Sequence, residues 1–183
     1  MQIKKDKKNN FTFFLQQENY FSKTTPIRIL MVEDQMINRM IMKQYLDSDL
    51  IVIQLAENGR IVTEIFIPNT YDLILMDLRM PEMDGYKTAQ WIRNQEKEKG
   101  KGNIPIIALS ASATKQIRQI ENQQGDRNTP IIALTASVTT EETNLSLDAG
   151  CTEILAKPLR KAKLFEILLK YYGTMKNNRK KHR

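Results

Sequence analysis

At 183 residues the chain is long enough for one ordinary domain with its own core and short for two. No apolar run approaches the roughly 20 residues of a membrane span, Phe11–Leu15 is too short for a secretory signal core, and the lone Cys151 excludes an intramolecular disulfide or a cysteine metal cluster. A soluble, cytoplasmic protein is expected. The net charge of +7 sits at the ends: residues 1–25 carry five Lys against two acids, residues 173–183 carry five Lys or Arg and no acid, and residues 26–172 hold 18 basic and 19 acidic residues. A compact basic face for nucleic acid is therefore not indicated. The chain divides into a basic extension (1–25), one domain (26–172) and a basic tail (173–183).

Ile27 to Val32 (IRILMV) is a nearly continuous apolar run that halts at Glu33 and Asp34, as a strand buried on both faces would. From Met36 to Leu46 the residues Ile37, Met40, Ile41 and Tyr45 recur three or four apart, which predicts a helix whose apolar stripe packs on the core. Ile51 to Ala56 reads as a second strand, Glu57 to Gly59 as a turn, and Arg60 to Phe66 as a short helix closed by Pro68 and Asn69. Tyr71 to Met76 is a third strand, and Tyr86 to about Glu96 is a helix with Trp91 as a packing anchor. Ile104–Leu109, Pro130–Leu134 and Ile154–Ala156 are strand-like, each followed by a helical stretch, the last being Ala162–Tyr172. Alternating strands and helices imply an α/β fold, a doubly wound parallel sheet with ligand chemistry at the carboxyl ends of its strands.

The chain also repeats itself. WIRNQEKEKGKGNIPIIALSASAT from Trp91 is echoed by QIRQIENQQGDRNTPIIALTASVT from Gln116, with 13 of 23 positions identical between Ile92–Thr114 and the segment 25 residues on. Two copies are too few for a solenoid, so a tandem duplication of one helix–loop–strand unit (about 90–114 and 115–139) inside a globular domain is expected.

Glu33 and Asp34 end the first strand and Asp77 ends the third. In a parallel sheet these ends converge, and three converging acids call for a hard divalent cation such as Mg2+. A carboxylate can attack phosphorus to give an acyl phosphate, which makes Asp77 the candidate nucleophile. Lys157, after the last strand, and a hydroxyl from the preceding strand, Ser110 or Thr135, are candidate partners for phosphoryl oxygens. The bland alternatives are that Glu33 and Asp34 cap the next helix, that Asp77 bonds its own loop, and that Lys157 is surface charge.

Four tags in order, VED, MDLRMPEMDG, PIIALTAS and AKP, resemble the marks of response-regulator receiver domains, over about Pro26 to Tyr172. The segments ILMVEDQMINR and LDAGCTEILAKPL are most similar to receivers of hybrid sensor histidine kinases. The resemblance implies a flavodoxin-like fold of strand order 2-1-3-4-5, with an extra unit from the duplication. It implies Mg2+ on Asp34, Glu33, Asp77 and the Arg79 backbone carbonyl, and phosphorylation of Asp77. It also implies a cis Lys157–Pro158 peptide, a trans turn being the plain alternative, and a phosphohistidine donor on a sensor histidine kinase or histidine phosphotransfer protein. His182, the only histidine, lies in the basic tail, so this chain by itself is expected to be no histidine kinase. It is expected to be no enzyme beyond Mg2+-dependent self-phosphorylation and slow autodephosphorylation, with no DNA-binding domain after Tyr172.

Where receivers often carry an aromatic residue three before the lysine, this sequence has Ile154. The intact run from Thr135 to Pro158 favours Thr135 as the site hydroxyl, with the first copy displaced; the spacing from Asp77 favours Ser110. If both copies enter the sheet side by side, Lys157 moves out by one strand spacing, roughly 5 Å, and direct phosphoryl contact is lost. The competing functions are an interaction scaffold whose duplication has spoiled the chemistry, and a phosphohydrolase. Arg79 standing two residues after Asp77, where a second acid is wanted, speaks against the phosphohydrolase.

Overall fold

The structure is a computed structural model that describes residues 26–99, 104–109, 118–119, 130–135, 139, 144, 147–157, 159–168 and 170–171. The elements run β1 (Ile27–Val32), α1 (Met36–Leu46), β2 (Ile51–Ala56), α2 (Gly59–Ile65), β3 (Leu73–Met76), α3 (Gly85–Glu98), β4 (Ile106–Leu109), β5 (Ile131–Thr135) and β6 (Glu153–Ala156). A helix beginning at 161 and still helical at 170–171 follows β6. The two tails, Ser110 and Pro158 lie outside the described residues, and with Pro158 the expected cis peptide.

Among the described residues six strands form one parallel sheet, in the order β2-β1-β3-β4-β5-β6. This is the doubly wound receiver order with one strand added. Strand side chains alternate between faces, so β1 feeds two cores. Ile29 and Met31 pack with Met42 and Leu46 of α1 and with Leu164, Phe165 and Leu168 of the C-terminal helix. Leu30 and Val32 pack with Val62 of α2 and Ile92 of α3. Each such side chain taken wholly out of water contributes about 1.5–3 kcal/mol, which is why a continuous apolar run is required. Beneath β4 and β5 a third cluster joins Leu78, Ala108, Ile131, Ala133 and Cys151. Trp91 meets Phe66 edge to face at 5.9 Å, an anchoring contact.

Two expectations are corrected. Ile37, Met40 and Ile41, read with Tyr45 as the core stripe of α1, are 71, 60 and 42% exposed, and only Tyr45 is partly covered; the inward positions are Met42 and Leu46, with Asn38 and Arg39 partly covered beside them. The second correction concerns the repeated segment. Its first strand is not displaced: β4 hydrogen-bonds to β3, and β5 follows β4.

The register adds a further offset. Ile106 pairs with Ile74, but Ile131, its counterpart 25 residues on, pairs with Ala108. The second segment has slid two residues toward the carboxyl edge. An even slide keeps each side chain on its original face, so Ile107 and Ile132 share one core and Ala108 and Ala133 the other.

Candidate functional site

β1 ends at Val32, and β3, paired with it, ends at Met76, so the residues that follow emerge side by side at the carboxyl edge. The Asp77 N–H donates to the Val32 carbonyl at 2.9 Å and extends that pairing to the acid itself. Glu33, Asp34 and Asp77 each bring a carboxylate oxygen within 4.8 Å of the others.

The three acids are held differently. Glu33 Oε1 accepts the Gln35 N–H at 3.2 Å and Asn38 Nδ2 at 3.0 Å. Asp77 Oδ1 accepts the Arg79 N–H at 3.1 Å. Asp34 Oδ1 is buried and, among the described residues, has no hydrogen-bond partner. Helix capping does not explain these acids, because Gln35 is the N-cap of α1 and no side chain caps it. Burial pushes the Glu33 and Asp77 carboxyls above their ordinary range, and repulsion from Asp34 adds to both. An orphaned buried oxygen inside a cluster of mutually repelling carboxylates is the donor set of a hard divalent cation.

The loop after Asp77 wraps beneath the site. Gly85 opens α3, its N–H donating to the Leu78 carbonyl at 3.1 Å; a Cβ there would run into the Asp77 carbonyl oxygen and Leu78 Cα. Asp84 caps α3 by accepting the Lys87 N–H at 2.9 Å. Glu82 takes a left-handed φ of 62° and accepts Asn58 Nδ2 at 3.2 Å, tying this loop to the start of α2.

Of the other expected partners, Thr135 and Lys157 are not brought to the acids. Thr135 ends β5 and pairs with Ala156, and the Lys157 N–H donates to the Thr135 carbonyl at 2.7 Å. Those two residues are neighbours of one another. β4 and β5 both stand between β3 and β6, so Lys157 is three strand spacings from the Asp77 strand, roughly 14 Å. Following the register outward, Met76 lies level with Ala108 and Ile131, so Thr135 is also about three residues, roughly 10 Å, farther along than Asp77. Lys157 is exposed.

Arg39 and Asn38 are functional candidates that the sequence reading missed. Arg39 Nη1 donates to the Glu33 carbonyl at 2.8 Å and to the Asp34 carbonyl at 2.6 Å. The available signal was their position on the α1 face shared with Met42 and Leu46.

A family model described as the response regulator receiver domain matches residues 29–125. Hybrid signal transduction histidine kinase M of Dictyostelium discoideum is 35% identical over 144 residues, 78% of this chain and 5% of that protein. Peroxide stress-activated histidine kinase mak1 of Schizosaccharomyces pombe is 38% identical over 92 residues, 49% of this chain and 6% of that protein. The chain thus spans only a small part of these relatives. The receiver domain of a Pseudomonas aeruginosa PAO1 sensor histidine kinase, solved with a magnesium ion coordinated in its active site cleft, is 30% identical with a TM-score of 0.53, over 81% of this chain and 99% of that one. A Saccharomyces cerevisiae receiver domain, co-crystallised with a histidine phosphotransfer signaling protein, is 28% identical with a TM-score of 0.51, over 84% and 94%. Among the described residues no helix is long and apolar enough to cross a membrane. With its parallel sheet, its three acids at the β1 and β3 ends and these relatives, the chain belongs to the response regulator receiver domain family.

Proposed function

We propose that this receiver takes a phosphoryl group from a partner phosphohistidine onto Asp77, with Mg2+ held by Glu33, Asp34, Asp77 and the Arg79 carbonyl. The observation that carries the reading is the acid triad, with its unpartnered Asp34 Oδ1. An Asp77 carboxylate oxygen attacks phosphorus, the donor P–N bond breaks, and the imidazole leaves with its electron pair. Bound Mg2+ supplies positive charge against the acids and the transferring oxygens. The donor is a sensor histidine kinase or a histidine phosphotransfer protein. Its docking is supported by the exposed Met36, Ile37, Met40 and Ile41, which begin two residues after Asp34 and offer apolar area beside the pocket.

The strand order favours Ser110, the residue after β4 in the sequence, over Thr135 as the hydroxyl near Asp77. We take the duplication of the helix–strand unit to be what carries Lys157 away from the acids. Phosphorylation then proceeds without a direct lysine contact. The test incubates purified protein with Mg2+ and phosphoramidate: acyl phosphate forms on the wild type, is lost in Asp77→Asn, and persists in Lys157→Ala and Thr135→Ala. A wild type that binds Mg2+ but gains no acyl phosphate supports instead the second reading, an interaction scaffold impaired in phosphorylation, which the same Lys157 separation favours. Loss of acyl phosphate in Lys157→Ala refutes the lysine-independent route.

A further inference from the structure

Arg39 lies on the inward side of α1, and its side chain is only 12% exposed, although it serves neither core. One of its nitrogens, Nη1, reaches two successive carbonyls, those of Glu33 at 2.8 Å and Asp34 at 2.6 Å. The other, Nη2, pairs with Glu57 Oε1 at 2.7 Å, just beyond the end of β2. A guanidinium presents its donors in a rigid planar fork, so these three bonds fix the peptide planes on both sides of Asp34 relative to β2. Glu33 also has its carboxylate held from α1, by Asn38 and the Gln35 N–H. For Asp34 the described residues offer Oδ1 no hydrogen bond, so what aims this side chain toward the site is the main chain, which sets the direction of its Cα–Cβ bond.

We infer that Arg39 is a positioning residue for the divalent cation, holding the Asp34 carboxylate toward Asp77 through the main chain, with Glu57 as its anchor. The inference rests on the reading that the three acids hold Mg2+. Groups that orient a ligand without touching the metal typically change affinity by about 10–100-fold when removed. Arg39→Met is therefore expected to weaken Mg2+ binding by about tenfold or more, and Arg39→Lys by less, because an ammonium reaches the carbonyls as a point charge without the fork. Glu57→Gln keeps both carbonyl bonds and weakens binding least.

The experiment is calorimetric titration of the full chain with Mg2+, with Val62→Ala as a control. Val62 is fully buried in the core on the opposite face of the sheet and is none of the site residues, so Val62→Ala is expected to destabilise the fold without removing a group from the site. The expected result is tightest binding in wild type and in Val62→Ala, with affinity falling through Glu57→Gln and Arg39→Lys to Arg39→Met. If Arg39→Met does not fold, the drop in Arg39→Lys relative to Val62→Ala carries the test. Unchanged affinity in the Arg39 variants, or an equal loss in Val62→Ala, overturns the positioning role while leaving Mg2+ binding intact. A wild type that binds no Mg2+ overturns the proposed function itself, and this inference with it.

Discussion

Replacing Asp77 by Asn removes one of three carboxylates gathered within 4.8 Å and keeps an oxygen to accept the Arg79 N–H. Two unit charges 4.8 Å apart repel by about 3.5 kcal/mol at an effective dielectric constant of about 20, and by about 0.9 kcal/mol in bulk water. Asp77 is partly exposed, so the benefit falls toward the lower limit, and the metal-free variant is expected to be about 1–2 kcal/mol more stable than wild type. In a chain of this size that is a rise of roughly 3–6 °C in Tm. Thermal unfolding followed by circular dichroism in EDTA measures it. Saturating Mg2+ should then raise the wild-type Tm more than that of Asp77→Asn and narrow or reverse the gap. If Asp77→Asn is less stable than wild type in EDTA, like-charge repulsion does not govern this pocket and the case for a cation there fails.

The raised carboxyls give that pocket a pH signature. Glu33 and Asp77 hold protons in the folded state at pH values where the unfolded chain has released them, the cause being burial first. The metal-free fold therefore carries a penalty that is fully present above the folded pKa values. It is relieved as pH falls through them toward the unfolded values of 4.5 and 3.8. Melting curves across pH, with and without Mg2+, should show wild type gaining on Asp77→Asn over that interval and the Mg2+ stabilisation disappearing over it. Gly85→Ala tests the loop: its Cβ meets two backbone atoms, the Asp77 carbonyl oxygen and Leu78 Cα, which cannot yield as a flexible side chain would. A loss of about 1–3 kcal/mol in urea unfolding is expected. An unchanged midpoint would mean that the loop opens freely.

The strands were legible because β3 is buried throughout and β1 is buried everywhere but at Arg28, so the run from Ile29 to Val32 and that from Leu73 to Met76 stay apolar up to Glu33 and Asp77. The helical period of α1 was legible too, but a period does not say which stripe turns inward. Met36, Ile37, Met40 and Ile41 make one stripe, and Asn38, Arg39, Met42, Tyr45 and Leu46 make the other. The second prevails because Asn38 and Arg39 are satisfied there by the Glu33 carboxylate and by the Glu33 and Asp34 carbonyls. Polar residues at an inward face look like an error in a hydrophobicity count and are explained only by the groups they meet. The slide of β5 was not readable for a related reason. PIIAL at 105–109 and at 130–134 is the same string, and its register depends on what each copy pairs with.

That slide explains why the extra strand leaves the sheet intact and separates the site. The cores need only parity: a two-residue shift returns Ile132 to the face of Ile107 and Ala133 to that of Ala108, so apolar contact survives on both sides. Phosphoryl chemistry needs hydrogen-bond reach, about 3 Å, and cannot absorb a strand spacing of about 5 Å or a two-residue slide of nearly 7 Å. The acids escape because β1 and β3 precede the repeated segment in the chain and pair directly with one another. β5 and β6 stand outside β4 in the sheet, and Lys157 follows β6, the outermost of them. With β4 and β5 both between β3 and β6, the sheet keeps the acid cluster together and sets Lys157 apart from it. The acids stay together because Glu33, Asp34 and Asp77 follow strands that pair directly, whatever stands on the far side of β4.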